Sequence, residues 1–290
     1  MTALVRSTLP AVEVRDGLAT LGPQALLLRT ELDTLVVRWA QRAGAANVAF
    51  PPLLTASDLA RFDYFTNFPH LGLVVAPIAP DRASRLPRHP AAPDARIEAA
   101  DLGSAVHMLP SAACYTAYAN LAGRRFETPA AFTLVAQCYR REDEYDGLRR
   151  LCGFTMREVV LIGGPEEARQ HLADFTSLIH GLSDHLGLDL RTEIATDPFF
   201  DPDGSRAVMQ RLFPVKREFL SADGTAVASV NYHRNFFGER ADLRIGEEVA
   251  HTSCVAFGLE RWLHALGQRF EGDLSAALRA VRAYTADQPS

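Results

Sequence analysis

Two apolar strand patterns joined by a charged loop constrain the fold of this chain more than any other stretch. Residues 131–140 and 153–162 alternate apolar with polar side chains and are rich in Val, Phe, Tyr and Thr, which is typical of β-strands. Most of the residues between them, 141–150, are charged, and the break from Asp143 to Gly147 favours a chain reversal. The sequence therefore predicts a β-hairpin over 131–162 that places Arg140 and Glu142 at its mouth, beside an apolar floor.

This hairpin resembles motif 2 of the class II aminoacyl-tRNA synthetases, which reads R-x-E, a variable loop, and then F-x-x-x-E. The matching residues are Arg140, Glu142, Phe154 and Glu158. The resemblance implies that Arg140 stabilises charge on the α-phosphate of ATP while an aminoacyl adenylate forms, since a fixed guanidinium suits that task. It also implies that Glu142 accepts a hydrogen bond from the adenine amino group and that the base lies on Phe154. The residues alone leave open a solvated hairpin with surface charges, because R-x-E is a common pattern.

A second pattern lies further along the chain, at 254–266, and reads CVAFGLERWLHAL. It resembles motif 3 of the same class, whose core is G-L-E-R on a strand that runs into a helix. The resemblance implies that Arg261 closes on the adenine from the side opposite Phe154 and reaches the γ-phosphate. The alternative is an amphipathic helix whose apolar side chains belong to the core, which leaves the arginine unexplained. In one departure from the pattern, Gly258 alone remains of the usual glycine-rich strand.

The composition describes a globular chain without a strong charge bias. Of its 290 residues, 48% are hydrophobic and 22% are charged, which is enough for one large domain. The net charge of −5 gives no global basic field of the sort that RNA binding favours, although it leaves a local patch open. The longest apolar run, 71–79, is too short to span a bilayer, and no charged-then-apolar leader opens the chain. We expect a cytoplasmic protein with no membrane partner.

Several other segments carry helix, strand or loop patterns. We expect helices at 31–43, 166–186 and 274–284, a short helix after Pro110 and Ser111, strands at 47–50 and 71–78, and a surface loop at 80–96. The strand at 71–78 is predicted to be buried, and residues 1–23 carry only a weak pattern. On the helix at 166–186, the three histidines are expected to face solvent: His171, His180 and His185. The helix at 31–43, with the strand and prolines after it, resembles motif 1, which implies a homodimer; an ordinary helix and loop is the alternative.

The four cysteines lie far apart and include no C-x-x-C pair, so metal binding, core packing and chance all stay open from the residues alone. Cys114 and Cys254, together with Glu158, match a narrow subgroup: truncated homologues of the methanogen-type seryl-tRNA synthetases, known as amino acid:[carrier protein] ligases. In that subgroup a cysteine, the glutamate that ends motif 2 and a cysteine before motif 3 bind one zinc ion. The resemblance implies one zinc per chain, with a fourth position open for the α-amino group of an amino acid. Cys138 and Cys152 are expected to be ordinary thiols.

Three further positions are implied by the same resemblance. Asn231, in the segment SVNYHRNFFG at 229–238, matches the strand ahead of motif 3 and is expected to meet the amino acid or the nucleotide. Class II enzymes hold Mg²⁺ on the triphosphate with an acid of the central sheet, but 226–231 contains none. Glu218 is the candidate for this acid, and Glu247 is a weaker one.

The subgroup transfers the aminoacyl group to the phosphopantetheine thiol of a small carrier protein rather than to tRNA. The chain begins shortly before its motif 1 pattern, so we expect one catalytic domain over 1–290 and no tRNA-binding domain. Carrier proteins are usually acidic, and a locally basic surface should receive one. The best basic stretch is 205–219, although a solvated charged face is the alternative. Its basic residues are Arg206, Arg211, Lys216 and Arg217.

We therefore expect the α+β fold of the class II synthetase catalytic domain, a mainly antiparallel sheet flanked by helices. The expected reaction is activation of a small amino acid, glycine or alanine, by ATP and Mg²⁺, followed by transfer to the carrier thiol. Two alternatives stay open. One is a tRNA-charging synthetase that relies on a separate tRNA-binding subunit, and the other is a synthetase-like regulatory or adaptor protein without turnover.

Overall fold

A broad, mainly antiparallel β-sheet forms the centre of the fold. The computed structural model describes residues 9–85 and 96–287. In this part of the chain the strands are Val12–Arg15 (β1), Leu18–Leu21 (β2), Ala46–Asn47 (β3), Leu54–Thr55 (β4), Val74–Val75 (β5), His107–Met108 (β6), Arg125–Phe126 (β7), Ala130–Tyr139 (β8), Gly153–Gly163 (β9), Arg191–Ile194 (β10), Lys216–Leu220 (β11), Ala226–Arg234 (β12), Arg244–Ile245 (β13), Glu248–Val249 (β14) and His251–Gly258 (β15).

Helices flank this sheet on both faces. Within the same described ranges the α-helices are Pro23–Arg42 (α1), Ala56–Arg61 (α2), Tyr64–Asn67 (α3), Ala113–Asn120 (α4), Pro165–Leu186 (α5), Ser205–Leu212 (α6), Phe236–Ala241 (α7), Leu259–Arg269 (α8) and Leu274–Asp287 (α9), and short 3₁₀ helices lie at Pro69–Leu71, Pro80–Arg85 and Ala99–Asp101. None of the described helices combines the length and the apolar character that a bilayer crossing requires.

The nine strands of the main sheet run in the order β1-β2-β9-β15-β12-β11-β10, with β8 also paired to β9 and β3 to β8. Its long pairings are antiparallel, and the short β2–β9 and β3–β8 pairings are parallel. Strands β8 and β9 form the predicted hairpin, in register from Ala130 opposite Ile162 to Tyr139 opposite Gly153. The predicted α+β architecture, a mainly antiparallel sheet flanked by helices, is confirmed.

The two faces of the sheet carry different layers because side chains alternate along each strand. One face packs on α1, α5, α8 and α9, in a core that contains Trp39, Phe175 and Trp262. The other face packs on α4 and α7, where Tyr118 stacks on Phe237 with ring centroids 4.0 Å apart. This second face leaves room beside its helices, and the candidate site lies there.

Helix α5 follows the predicted pattern, but one of its histidines does not. Pro165 begins the helix, and Gly187 ends it in the left-handed conformation at φ 62°. His171 was predicted to face solvent, whereas it lies on the buried stripe and its Nδ1 is 2.9 Å from Ser253 Oγ. Its position between Ala168 and Phe175, at i+3 and i+4 spacing, is that of a core residue. Burial lowers the pKa of His171 to about 4.

Two short segments also differ from the sequence expectation. The apolar run 71–78 was predicted to be a buried strand, but it contributes only β5, whose Val74 and Val75 are exposed at the edge of a small sheet. The N-terminal segment forms the β1–β2 hairpin, whose turn places Asp16 and Gly17 at φ 50° and 71°. An Asp-Gly pair between apolar runs is a strong hairpin signal, so this element was predictable. The predicted loop at 80–96 lies outside the described residues for most of its length.

Candidate active site

Two cavities open next to each other on the face of the sheet that carries α4 and α7. The first, which we name the cysteine cavity, has a volume of about 330 Å³, and the second, which we name the arginine cavity, has a volume of about 80 Å³. Their shared lining, which we name the junction, consists of Arg140, Met156, Lys216, Ser229 and Ala256.

Nine of the ten residues that the sequence proposed for catalysis or for nucleotide, amino acid or metal binding line these two cavities, and the tenth, Glu247, lines neither. The cysteine cavity is lined by Cys114, Glu158, Asn231 and Cys254, the arginine cavity by Glu142, Phe154, Glu218 and Arg261, and both by Arg140. Residues separated by up to 147 positions in sequence, from Cys114 to Arg261, therefore line two adjoining cavities.

Cys114, Glu158 and Cys254 form a compact buried group at one end of the cysteine cavity. Strand pairing places Val160 opposite Cys254, and Glu158, two residues earlier on β9, therefore faces the same side of the sheet. The backbone N–H groups of Ala113 and Cys114, in the first turn of α4, donate to the two carboxylate oxygens of Glu158 at 2.9 and 3.1 Å. This contact fixes the start of α4 over the sheet and brings Cys114 to the group.

The ligand atoms of the three side chains all lie within 4.8 Å of one another. Among residues 9–85 and 96–287, this is the one group of three or more His, Cys, Asp or Glu side chains with its ligand atoms arranged to hold a metal ion. Two sulfurs and a carboxylate oxygen around a tetrahedral zinc lie about 3.6–3.8 Å apart, so a zinc ion fits with side-chain shifts of about 1 Å. Thiolate donors favour zinc over Mg²⁺, which prefers oxygen ligands.

The electrostatics of this group also suit a cation. The hydrogen bond with Cys254 and burial raise the pKa of Cys114 well above its ordinary value. Burial raises the pKa of Glu158, despite the thiol and backbone N–H groups that donate to it. Three acidic groups packed together away from water cannot all ionise without a nearby positive charge. A divalent cation would supply that charge, so the chemistry of these three side chains fits a zinc ion.

Asn231 lies directly beside the cysteine end of the site. It is paired with Cys254 across β12 and β15, and its Nδ2 lies 3.4 Å from Cys254 Sγ and 3.1 Å from Ser229 Oγ. The amide is therefore held against one wall of the cysteine cavity, close to the group that could hold the metal.

Two arginines face the arginine cavity from different elements. Arg140 Nε donates to the carbonyl oxygen of Ser111 at 2.9 Å, and its guanidinium carbon lies 5.1 Å from the centre of the Phe154 ring. Arg261 donates to the carbonyl oxygens of Arg149 and Ala226 at 2.8 and 3.1 Å. Burial and the nearby Arg140 lower the pKa of Arg261. Two fixed guanidinium groups that face one cavity make it a suitable site for an anion.

Of the two acidic residues considered for magnesium binding, only one lines a cavity. Glu218 lines the arginine cavity, where its Oε1 lies 3.0 Å from Lys216 Nζ. Glu247, the weaker candidate, lies outside both cavities in the turn between β13 and β14, where it pairs with Arg125 at 3.2 Å. Glu247 is therefore not an acid of this site.

Lys216 lies in the site, where the sequence did not predict it. It was predicted to belong to an exposed basic surface, but its side chain is only 14% exposed and lines both cavities. Strand periodicity offered the missing signal, because Lys216 and Glu218 are two residues apart on β11 and so share a face. Arg206 of the same predicted surface is also engaged, since it pairs with Asp63 at 2.8 Å.

Two relatives from one bacterium decide the family. The chain is 33% identical over 292 residues to the amino acid–[acyl-carrier-protein] ligase 1 of Bradyrhizobium diazoefficiens, a match that covers 93% of this chain and 87% of that protein. It is 34% identical to ligase 2 of the same organism, over 80% of this chain and 72% of that protein. The chain belongs to the amino acid–[acyl-carrier-protein] ligases. The predicted family and the predicted class of enzyme are both confirmed.

More distant relatives of this ligase are aminoacyl-tRNA synthetases. A type-2 serine–tRNA ligase of Methanothermobacter thermautotrophicus is 28% identical over 41% of this chain and 25% of that protein. Among solved structures, the M. kandleri SerRS in complex with A. aeolicus tRNASec matches with a TM-score of 0.74 at 20% identity, over 89% of this chain and 55% of that chain. The Giardia lamblia prolyl-tRNA synthetase in complex with prolyl-adenylate matches with a TM-score of 0.66 at 13% identity, over 88% and 48%.

The ligase thus spans about half the length of these solved synthetases. The likeness confirms the class II synthetase fold. No family model matches the chain.

Proposed function

We propose that this ligase activates a small amino acid, glycine or alanine, with ATP and transfers it to the phosphopantetheine thiol of a carrier protein. In the first step a carboxylate oxygen of the amino acid attacks the α-phosphorus of ATP, and pyrophosphate leaves. In the second step the thiol sulfur attacks the carbonyl carbon of the aminoacyl adenylate, and AMP leaves. The observation that carries the proposal is the shared lining of the two cavities, because a zinc-type donor set and a pair of arginines could then contact one substrate.

The cysteine cavity would hold the amino end of the substrate. Cys114, Glu158 and Cys254 are the residues that would bind a zinc ion, and that ion would supply an open position for the α-amino group. The hydrogen bonds from α4 to Glu158 preorganise this group of side chains. Asn231, held beside Cys254, would orient the amino acid from the other wall.

The arginine cavity would hold the nucleotide. Phe154 offers the base an aromatic face, and Glu142 can accept from the adenine amino group. Arg140 at the junction would stabilise charge on the α-phosphate, while Arg261 would close on the adenine and reach the γ-phosphate. Glu218 would hold Mg²⁺ on the triphosphate, since carboxylates are common ligands of that ion.

Aromatic walls close around the cysteine end and support the choice of a small amino acid. The rings of Tyr115 and Phe237 pack nearly perpendicular with centroids 5.9 Å apart, and Phe62 lies 5.2 Å from Phe237. All three line the cysteine cavity. A bulky side chain next to the amine would have to displace these packed rings, which is costly in a close-packed interior.

The carrier protein would dock on α6 and the segment that follows it, within the predicted stretch 205–219. Met209 and Phe213 line the mouth of the cysteine cavity and are 50% and 53% exposed, and Leu212 is 65% exposed. Arg211 and Arg217 are exposed on the same stretch. The surface is therefore more apolar than the sequence suggested, and its two exposed arginines would meet the acidic carrier.

A homodimer is the expected assembly. Helix α1 and strand β3 after it correspond to the motif 1 resemblance, and Leu26 and Leu27 near the start of α1 are 44% and 42% exposed. Sedimentation equilibrium at micromolar concentration should give a mass of about twice 31.8 kDa. A mass that stays at the single-chain value would contradict the dimer.

The acceptor is tested by transfer of radiolabelled glycine or alanine in the presence of ATP. The ligase is incubated with a phosphopantetheine-loaded carrier protein, with the same carrier lacking the prosthetic group, and with total tRNA. Label on the loaded carrier alone, released by hydroxylamine as expected of a thioester, supports the proposal. Label retained on tRNA would instead identify a tRNA-charging enzyme. The absence of label on any acceptor would favour a binding protein without turnover.

A further inference from the structure

The junction between the two cavities contains a second cation besides Arg140. Of the five residues that line both cavities, Met156, Ala256 and Ser229 are uncharged, and Lys216 carries the remaining charge. Nothing in the proposed chemistry has used this lysine so far, although its side chain is largely buried in the centre of the site.

Lys216 reaches the junction from the wall opposite Arg140. It is paired with Asn231 across β11 and β12, and Asn231 is paired with Cys254 across β12 and β15. Strand β11 lies four strand spacings from β8, the strand that precedes Arg140, which is about 19 Å between backbones. Two long basic side chains that extend inward from these walls leave between them a gap of the size that a carboxylate or phosphate needs.

Acidic neighbours hold the ammonium group in place. Lys216 Nζ lies 3.0 Å from Asp197 Oδ1 and 3.0 Å from Glu218 Oε1. Asp197 is itself fixed, since Gln210 Nε2 donates to its Oδ2 at 3.0 Å and its backbone N–H donates to Gln210 Oε1 at 2.8 Å. Burial alone would lower the pKa of Lys216, but the two carboxylates raise it above its ordinary value. An ammonium group has three donors, so one N–H is left for a ligand in the junction.

The geometry of the substrate determines what this N–H can meet. If the α-amino group lies at Cys114, Glu158 and Cys254 and the nucleotide lies beside Phe154, the carboxylate of the amino acid must lie between them, at the junction. There it approaches the α-phosphate, which is also negative, and two like charges at that distance repel each other. A cation on each side offsets this repulsion and orients the attacking oxygen.

We propose that Lys216 binds the α-carboxylate of the amino acid substrate, on the side opposite Arg140. The inference rests on the proposed function and adds a specific contact to it. It assigns Asp197 as the positioning residue that holds the lysine toward the junction.

The test compares Lys216→Met with Arg191→Met in ATP–pyrophosphate exchange, using glycine, or alanine if the wild type prefers it. Arg191 lies on the neighbouring strand β10, its side chain is 62% exposed, and it lines neither cavity, so it is a suitable control. Loss of a charge-assisted hydrogen bond should raise the KM for the amino acid by roughly 10-fold to 100-fold. The KM for ATP should stay within about twofold, and Arg191→Met should behave as the wild type.

A second variant guards against a folding defect. Lys216→Met leaves Asp197 without its lysine, so Asp197→Asn/Lys216→Met removes both charges, and it should show the same rise in KM with a wild-type thermal transition. Inhibition by glycinamide distinguishes a carboxylate-binding role of Lys216 from a purely structural one. It keeps the α-amino group but lacks the carboxylate, so its inhibition constant should be the same, within about twofold, in the wild type and in Lys216→Met.

Three outcomes overturn the inference. They are an unchanged amino acid KM in Lys216→Met, an equal rise in the KM values for ATP and the amino acid, and an equal weakening of glycine and glycinamide. Because each is read against an active wild type, they leave the proposed function standing. A wild-type protein without amino-acid-dependent exchange would instead refute the proposed function, and the contact with it.

Discussion

Cys254 and Cys138 form a matched pair that separates metal binding from packing. Both thiols are buried in the same core cluster, at 3% and 0% exposure, on the same face of the sheet. Only Cys254 lies in the group with Glu158 and Cys114. Replacing either cysteine with alanine removes one buried sulfur atom, and we expect each change to lower the free energy of unfolding of the metal-free protein by about 1 kcal/mol.

Metal affinity should distinguish the two variants sharply. Binding of zinc at a site with four protein ligands is worth about 10–16 kcal/mol, which is about 2.5–4 kcal/mol for each ligand. Cys254→Ala should therefore weaken zinc binding about 10²-fold to 10³-fold and abolish amino-acid-dependent exchange. Cys138→Ala should retain about one zinc per chain and wild-type exchange.

The assay combines three measurements on each purified variant. Metal analysis after dialysis against a weak chelator gives the zinc content, urea unfolding in excess chelator gives the metal-free stability, and pyrophosphate exchange gives the activity. Retention of zinc and exchange by Cys254→Ala would refute the metal assignment. Loss of zinc in Cys138→Ala as well would show that zinc retention depends on packing of the buried core rather than on Cys254 as a specific ligand.

Three further predictions follow from single contacts in the fold. Phe154→Ala should raise the KM for ATP about 5-fold to 150-fold with unchanged zinc content, since stacking of a base on an aromatic ring is worth about 1–3 kcal/mol; an unchanged KM would contradict the stacking role. Arg157 makes a part-buried bidentate ion pair with Asp33 at 2.7 and 2.9 Å, and the Arg157 side chain itself is only 4% exposed. Arg157→Met should therefore lower the free energy of unfolding in urea by about 3 kcal/mol, and a loss below about 1 kcal/mol would contradict this expectation. Burial lowers the pKa of His171 from an ordinary value near 6.5 to about 4, so its contribution of about 3 kcal/mol to the free energy of unfolding is complete above about pH 6.5 and is lost as the pH falls toward 4. The free energy of unfolding of His171→Gln should fall less than that of the wild type over this pH range. Parallel curves of unfolding free energy against pH would show that another group is responsible.

Local patterns in the sequence were sufficient to predict the hairpin, and together with the family resemblance they selected residues that line the two cavities. The R-x-E pattern at Arg140 and Glu142 directly follows β8, and the G-L-E-R pattern at Arg261 runs from the end of β15 into α8, so sequence spacing fixes the local geometry of each. The group of Cys114, Glu158 and Cys254 could not be found in this way. Cys114 and Cys254 come from a helix and from a strand on a different part of the chain, so the family resemblance alone joined them to Glu158.

The errors arose where burial depends on tertiary packing. Hydropathy assigned His171 to solvent, although its helical spacing places it among core residues and Ser253 satisfies its Nδ1. Lys216 was predicted to lie on an exposed surface because it is charged. The sequence does not show that Asp197 approaches it from another segment. The prediction of a buried strand at 71–78 was wrong in the opposite direction, because an apolar segment proved to be exposed. Its strand β5 lies at the edge of a three-stranded sheet, which leaves Val74 exposed.

Amino-acid-dependent pyrophosphate exchange on protein of known zinc content tests both the proposed activation and the proposed zinc site. All twenty amino acids are compared on the same preparation, before and after removal of the metal with a chelator. We predict about one zinc per chain, exchange with glycine or alanine, loss of exchange on metal removal, and its return with added zinc. Exchange that persists in zinc-free protein would contradict the role of Cys114, Glu158 and Cys254, and no exchange with any amino acid would contradict the proposed activation itself.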